Sequence, residues 1–292
     1  MTDHSQLAKD DALQPLDLLA RAALAHYDVP QQSVLTLINL SENATYGVTA
    51  PDGRRWALRL HRPGYHSVAA IASELAWATA LRRDGAATTP VPVAGRDGEW
   101  IQHVQHTKAE PRHAVLFLWE EGREPQISDD LKTAFEVLGS AAARMHAHVK
   151  TWQRPPWFTR FTWDFQTALG DESPHWGRWR DGMGLDPSSE ALFTRTASLI
   201  ATRLAAYGKG AQRFGLVHGD LRLANLLVDG ETVKVIDFDD CGFSWFMYDA
   251  ATPVSFLRTR AAGAELLHHW KMGYRRIAPR LPPPMKPRSP PL

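Results

Sequence analysis

The stretch "LVHGDLRLANLLVDGETVKVIDFDD", residues 216–240, sets polar side chains between short apolar runs. These polar residues are His218, Asp220, Asn225, Asp237, Asp239 and Asp240. A buried carboxylate is costly unless it is paired, hydrogen-bonded or bound to a metal. Because the apolar runs predict strands, the polar residues between them indicate a site rather than a solvated face.

Asn225 and Asp237 are expected to lie close together. "NLLV" and "VKVIDF", joined across "DGET", predict a β-hairpin that would bring both residues to one end of the ribbon. Their amide and carboxylate oxygens suit a hard cation such as Mg²⁺. Asp220, on the loop before the hairpin, could accept a proton from an attacking hydroxyl. A base, metal ligands and a second lobe that covers a nucleotide are the parts that phosphoryl transfer requires.

These motifs resemble those of kinases. "HGDLRLAN" resembles the H-x-D-x-x-x-x-N catalytic loop, and "IDFDD" resembles the Asp-Phe-Gly metal-binding segment. The glycine after the histidine, Gly219, makes this loop resemble that of the aminoglycoside phosphotransferase and choline kinase family. "FDDCGFSWFMYDAA" and "ALRLHRPGY" look more narrowly like bacterial stress-response kinase A and its homoserine kinase-like relatives. The resemblance covers about residues 15–275.

The resemblance implies roles for the residues of the opening stretch. Asp220 would be the catalytic base, Asn225 and Asp237 would hold Mg²⁺, and ATP would donate the phosphoryl group. His218, also in the catalytic set, would brace the loop, and Asp249 would support it from behind. For Asp239 and Asp240 two interpretations stay open, namely assistance to the metal or substrate, or solvated loop carboxylates.

The resemblance also implies a nucleotide site in the first part of the chain. Arg59 stands where kinases carry a phosphate-binding lysine, and Glu74 is the matching helix acid; a surface pair without contact is the alternative. Ser41 and Asn43 lie in "LSENATYGV", residues 40–48, where they could donate to phosphate oxygens or simply form a hairpin turn.

The segment "LFLWEEG", residues 116–122, would be the hinge in this comparison. The backbone around Trp119 and Glu120 would then pair with adenine. A plain strand end is the alternative.

Hydrophobic periodicity divides the chain into a sheet-rich and a helix-rich part. With the resemblance, this predicts an α+β, two-lobed protein-kinase-like fold with a small antiparallel-sheet N-lobe and a larger helical C-lobe. We expect the N-lobe in residues 1–120, the C-lobe in residues 121–278 and a disordered proline-rich tail in residues 279–292. The abrupt change to proline near the end also suggests truncation or a shifted reading frame.

Several element boundaries can be predicted. The first helix should bury one face, a turn should form at "PDG", residues 51–53, and later helices should begin at serine caps and end at glycines. The face comprises Leu16, Leu19, Ala20, Ala23 and Leu24; the caps are Ser67, Ser128 and Ser188 or Ser189; the stops are Gly85 and Gly208. The helix after Ser128 should bury Leu131, Phe135, Leu138, Ala142 and Met145.

The acceptor is expected to be a hydroxyl group, on a protein Ser/Thr or on a small metabolite. The protein acceptor follows from the stress-response kinase resemblance, and the small molecule from the wider family. A degenerate kinase that binds nucleotide without turnover is a further alternative, motivated by Arg59 and by the shortened C-terminus. In the tryptophan-rich insert, residues 152–179, packing is favoured over recognition. Asp164, Arg178 and Trp245 are candidates for contact with the acceptor.

Charge and cysteine content exclude other classes. The net charge of +1 gives no chain-wide field for nucleic acid or an anionic membrane. The single cysteine, Cys241, rules out an internal disulfide and a multi-cysteine zinc site. We therefore expect a cytoplasmic protein with no nucleic-acid or membrane partner.

Overall fold

The computed structural model describes residues 4–126, 130–230, 232–255 and 260–280. Contacts divide the chain into two compact units. The first unit comprises Met1–Arg123, Pro155–Thr159 and Leu227–Ile236. The second comprises Glu124–Arg154, Arg160–Leu226 and Asp237–Leu292. No helix in the described parts of the chain is long and apolar enough to cross a membrane.

The first unit is built on an antiparallel sheet with the strand order β1-β2-β3-β6-β4, and β5 pairs with β6. The strands are β1 (Val34–Leu40), β2 (Ala44–Thr49), β3 (Arg55–Leu60), β4 (Pro92–Val93), β5 (Ile101–His106) and β6 (Ala109–Leu118). The predicted turn joins β2 to β3, and Gly53 occupies it at φ 88°. A further pair, β8 (Leu226–Asp229) with β9 (Thr232–Val235), forms the predicted hairpin.

One face of this sheet packs on helix α1 (His4–Ala23). The predicted apolar face of the first helix is confirmed, because Leu19, Ala20 and Ala23 of α1 and Leu24 directly after it are buried, and Leu16 packs against them. Strand residues such as Tyr46 and Leu58 complete this core. The pattern of apolar residues in α1 therefore fixes which side of the sheet it covers.

The opposite face carries helix α2 (Val68–Arg83), whose Ile71 and Leu75 pack on Val115 of β6. The Ser67 side chain accepts from the Ala70 amide, so this predicted cap is confirmed. The helix ends at Asp84, and Gly85 follows at φ 68°, as the predicted stop requires.

The second unit contains five α-helices among its described residues. The helices are α3 (Leu131–Val149), α4 (Phe165–Leu169), α5 (Pro187–Tyr207), α6 (Tyr248–Ser255) and α7 (Arg260–Ile277). Strands β7 (Phe214–Val217) and β10 (Gly242–Trp245) pair antiparallel in the same unit. Of the face predicted for α3, Phe135, Leu138, Ala142 and Met145 are buried, and Leu131 is half-buried.

Helices α3 and α5 are capped by aspartates and not by the predicted serines. The predicted cap Ser128 lies outside the described residues, and Asp130 caps α3 by accepting from the Lys132 and Thr133 amides. For α5 the predicted caps Ser188 and Ser189 are wrong. Asp186 is the cap and accepts from the amides of both serines. The reason is Pro187, which suits the first helical position because its φ is preset and it has no N–H to satisfy.

Helices α3 and α7 approach each other at two glycines. A Cβ on Gly139 would overlap the carbonyl oxygen of Trp270, and a Cβ on Gly273 would overlap that of Glu136. Glycine is therefore required at both positions if the two backbones are to keep this spacing. Next to this contact, the fully buried rings of Trp270 and Tyr274 stack with centroids 5.0 Å apart.

We expect Gly139→Ala to destabilise the protein by about 1–3 kcal/mol, because the new methyl group forces two backbones apart. The matched control is Gly263→Ala in α7, where a Cβ meets nothing within 4 Å. That change should stabilise by up to about 1 kcal/mol, since alanine is the better helix former. Urea unfolding followed by circular dichroism compares the two, and equal effects would contradict the close contact.

Candidate active site

The loop after β7 holds Asp220 and Asn225 together. The Asn225 side-chain amide donates to the backbone oxygen of Asp220 at 2.8 Å and to its Oδ2 at 2.9 Å. Because the amide nitrogen binds Asp220, the Asn225 side-chain oxygen is turned towards other partners, as a metal ligand requires. Arg222 Nε also donates to Asp220 Oδ2, at 2.8 Å. Two donors thus hold the Asp220 carboxylate in one orientation.

His218 is fully buried behind this loop. Its Nδ1 accepts from the Asp220 backbone N–H at 3.3 Å, and its ring lies 4.6 Å from that of Phe238. These contacts fit the bracing role implied by the resemblance. They position the backbone of Asp220 rather than its carboxylate.

Asp249, at the start of α6, supports the loop from inside the second unit. It accepts from the backbone N–H groups of His218 at 3.1 Å and Gly219 at 2.9 Å. His146 Nε2 lies 2.9 Å from the same carboxylate, and His146 Nδ1 lies 3.2 Å from the Tyr274 hydroxyl. Asp249, His146 and Tyr274 are all buried. Asp249 thus occupies the supporting position that the resemblance implied.

The charge of Asp249 is compensated within this network. Burial would raise its pKa, but the hydrogen bond and charge of His146, the charge of His218 and the Gly219 N–H together hold the pKa below its ordinary value.

Sequence reasoning missed His146 and Tyr274. A usable signal was present for His146, which lies one helical turn after Ala142 on the apolar face of α3. None of the residue patterns marked Tyr274.

Gly219 is required by the shape of the loop. It adopts φ 87°, and a Cβ there would overlap the backbone oxygen of Asp240. The same Asp240 oxygen accepts from the Trp163 indole N–H at 2.8 Å. The loop after β9 is therefore packed directly on the loop that carries Asp220.

Asp237 follows the hairpin at φ 61°, in the left-handed region that residues other than glycine rarely adopt. Such backbone conformations cluster at functional sites. Its side chain is exposed.

Within the described ranges, no group of three or more His, Cys, Asp or Glu side chains is arranged to hold a metal. The proposed pair of Asn225 and Asp237 fits Mg²⁺, which commonly takes one or two carboxylates and completes its shell with phosphates and water.

In the first unit, Arg59 and Glu74 form a buried ion pair. The alternative of a surface pair without contact is therefore wrong. The Arg59 guanidinium also lies 5.3 Å from the centre of the Phe117 ring. Within this unit the two charges stand where the kinase comparison placed them, and the phosphate-binding role of Arg59 stays a prediction.

The turn between β1 and β2 commits Asn43 to a structural contact. Asn43 is buried, and its side-chain oxygen accepts from the Arg62 backbone N–H at 3.0 Å. Ser41 is exposed, and its backbone N–H donates to the backbone oxygen of Asn43 at 3.1 Å. These contacts favour the hairpin-turn interpretation for Asn43. Phosphate binding by either side chain stays a prediction.

Side chains of the predicted hinge segment contact basic residues of the first unit. The Arg55 guanidinium lies 3.7 Å from the centre of the Trp119 ring. Glu120 accepts from Arg82 at 2.8 Å and pairs with Lys234 at 3.2 Å. Sequence reasoning missed Lys234. Pairing of the backbone of this segment with a nucleotide base stays a prediction.

The candidates for acceptor contact have structural partners. Asp164 caps α4 and binds Lys209, and the Trp245 indole N–H donates to the Gly208 oxygen at 2.9 Å. Arg178 donates to Asp181 at 3.1 Å on the surface. Asp164 and Trp245 therefore have clear packing roles. Contact of these three residues with an acceptor stays a prediction.

The tryptophan-rich insert is only partly buried. Trp163 is 6% exposed and stacks on Trp176, which is 58% exposed, with ring centres 6.2 Å apart. Trp157 is 53% exposed. The packing interpretation therefore holds for Trp163, whereas Trp176 and Trp157 present most of their surface to solvent.

Residues 34–287 match the model of a family described as the phosphotransferase enzyme family. The chain belongs to this family. It is 25% identical over 267 residues to amicoumacin kinase of Bacillus subtilis (strain 168). The match covers 88% of this chain and 75% of that protein. The phosphotransferase assignment and the predicted kinase-like fold are thereby confirmed.

Solved structures of kinases are similar to this phosphotransferase. A microcompartment-associated aminopropanol kinase is 45% identical, with a TM-score of 0.81, and the match covers 89% of this chain and 80% of that one. An amicoumacin kinase in complex with AMP-PNP, Ca²⁺ and Ami has a TM-score of 0.71 at 21% identity, and covers 94% and 80%. At 21% identity, the similarity to the amicoumacin kinase structure concerns the fold alone. Among these relatives, the predicted small-molecule alternative is better supported than a protein acceptor.

We expect Asp249→Asn to cost about 2–4 kcal/mol at neutral pH, because the buried His146 and the loop amides lose their charged acceptor. The folded pKa of Asp249 is depressed, so its contribution is present above the ordinary value of 3.8 and is lost as the pH falls through the folded pKa. The cost should therefore shrink below about pH 4.

Denaturant unfolding at several pH values measures this cost. The control is Asp171→Asn, at a surface carboxylate that pairs with Arg180 at 3.1 Å. It should change stability by less than about 0.5 kcal/mol at every pH. A cost for Asp249→Asn that is independent of pH would contradict the ionised network.

Proposed function

We propose that this phosphotransferase is an ATP- and Mg²⁺-dependent kinase that phosphorylates the hydroxyl group of a small amino alcohol. The observation that carries the acceptor class is the 45% identity with an aminopropanol kinase over 89% of the chain. The chemistry rests on Asp220 and the groups that orient it. The proposed parts of the site are the base Asp220, the metal ligands Asn225 and Asp237, and the cation Arg59.

Asp220 is suited to be the base. Arg222 and Asn225 fix its carboxylate, and its backbone is bound by His218, so little reorganisation is needed when an acceptor hydroxyl arrives. The acceptor oxygen gives its proton to Asp220 as it bonds to the γ-phosphorus, and the bond from that phosphorus to the leaving ADP oxygen breaks in line. Mg²⁺ held by Asn225 and Asp237 would neutralise phosphate charge.

The nucleotide side is supported by the first unit. Ala57 of β3 pairs with Gly47 of β2 and with Phe117 of β6, so these three residues lie on one face of the sheet. Arg59, two residues after Ala57 on the same strand, lies on that face too, together with its partner Glu74. Ile38 of β1 is 53% exposed next to Gly47. This partly uncovered apolar surface suits a purine ring, and Arg59 beside it suits the phosphates.

Negative charge in the second unit favours a cationic acceptor. Tyr248 is 38% exposed, and burial raises the pKa of its phenol, with further contributions from Asp240, Asp249 and Asp220. Burial disfavours any charge there, whereas the carboxylates of Asp240 and Asp220 would attract an ammonium group. We therefore propose that Asp240 and Tyr248 face the amine of the acceptor.

The test is transfer of label from γ-labelled ATP to aminopropanol, ethanolamine, choline and a cell extract, with Mg²⁺ present. Labelled amino alcohols would support the proposal. Label that enters only proteins would move the acceptor to Ser/Thr and contradict it. ATP binding without any transfer would indicate the degenerate kinase.

We expect Asp220→Asn to lower kcat by about 10²–10⁴-fold, because the amide keeps the size of the side chain but cannot take up the proton. The KM for ATP should change little. Steady-state rates with the amino alcohol identified above measure both constants. Full activity in this variant would exclude Asp220 as the base.

We expect Asp237→Ala to abolish the rise in melting temperature that Mg²⁺-ATP gives the unmodified protein, about 5 °C or more at 100 times the Kd. The loss follows from removal of the carboxylate that would hold the metal. The control is the exposed Asp181→Ala, which should keep the full rise. Thermal unfolding with and without Mg²⁺-ATP makes the comparison, and equal rises in both variants would sink the assignment.

A further inference from the structure

Lys234, on β9, is a buried cation with three oxygen partners in the first unit. Its side chain is 11% exposed. Nζ donates to the Glu121 backbone oxygen at 2.7 Å and lies 3.2 Å from Glu120 Oε2 and 3.6 Å from Asp229 Oδ2. A lysine at this depth is retained only where such partners replace water.

These contacts connect the hairpin to the segment that follows β6. Arg123 and Val228 exchange two backbone hydrogen bonds, at 3.0 and 2.9 Å. On the other strand, the Val235 N–H donates to the Thr88 oxygen at 2.8 Å. A Cβ on Gly122, which adopts φ 129°, would lie 3.0 Å from the Val228 oxygen. The segment therefore lies directly against β8, with Lys234 beside it.

The direction of one backbone N–H follows from the contact with Lys234. The peptide between Glu121 and Gly122 is planar and trans, so its C=O and N–H point in opposite directions. Lys234 binds the C=O of Glu121, which turns the Gly122 N–H away from the lysine. Across the described residues, the backbone N–H groups of Glu120 and Gly122 donate to no other backbone group.

We propose that Lys234 is a positioning residue for recognition of the nucleotide base, which it serves by aiming the Gly122 N–H. This inference rests on the proposed function, since it concerns the base of the ATP used there. Glu120 assists by keeping the ammonium group in place, and Arg82, which pairs with Glu120, fixes that carboxylate in turn. Lys234 itself does not touch the nucleotide.

The inference predicts a selective effect on the base. In Lys234→Met the peptide loses its anchor, and the Kd for ATP should rise about tenfold, the effect of one misdirected hydrogen bond. Binding of inorganic tripolyphosphate, which has no base, should stay the same. Lys234→Arg keeps a charged donor and should restore part of the ATP affinity. A lysine that only stabilises the fold would lower the melting temperature and leave the ratio of the two Kd values unchanged.

Calorimetric titration of each variant with ATP and with tripolyphosphate tests this prediction. The control is Lys132→Met, which removes a surface lysine that pairs with Glu265 at 2.7 Å and should alter neither Kd. A loss of ATP affinity confined to Lys234→Met supports the inference. Equal ATP affinity in Lys234→Met and the unmodified chain overturns it, whereas an unmodified chain that binds no ATP overturns the proposed function.

A second measurement needs no variant. Hydrogen exchange of the Gly122 amide is followed in the unmodified chain with ATP and with tripolyphosphate. Protection by ATP alone is expected, because only ATP carries a base that can accept from this N–H. Protection by neither compound, while ATP binding is seen by calorimetry, would overturn the inference even if Lys234→Met fails to fold.

Discussion

The loop that carries Asp220 depends for its geometry on the hydrogen bonds to the buried carboxylate of Asp249. Three donors converge on it: two backbone N–H groups of the loop and the ring of His146. An ionised carboxylate without water needs such donors, and the loop amides need an acceptor, so each side satisfies a requirement of the other. The loop that carries Asp220 is held by α3 and α6 through this one group.

The same principle operates in the first unit with opposite charge. Lys234 is a buried cation that binds a backbone carbonyl, just as Asp249 is a buried anion that binds backbone amides. In each case a charged side chain binds a peptide group and holds its direction. This family member therefore uses buried ions to orient its main chain, whereas the residues proposed for the chemistry, Asp220 and Asp237, are half-buried and exposed, respectively.

Much of the fold and part of the candidate site could be predicted from short-range sequence patterns. The β8–β9 hairpin, the Ser67 cap and the buried face of α1 follow from short-range patterns, and the order of Asp220, Asn225 and Asp237 indicated the family. The α5 cap was misplaced because aspartate before proline outcompetes the serines that follow. His146, Tyr274 and Lys234 were missed because main partners of theirs are distant in sequence. His146 lies 103 residues from Asp249 and 128 from Tyr274, and Lys234 lies 113 residues from Glu121. Single-residue patterns carry no information about such contacts.

The glycine contact between α3 and α7 limits how this sequence can vary in length. An α-helix turns about 100° per residue, so inserting or deleting one residue in α7 before Gly273 would rotate the glycine away from α3. A larger residue would then face the Glu136 carbonyl, and Tyr274 would leave His146. Changes in chain length are therefore expected to accumulate in the loops of the second unit, whereas α7 keeps its register.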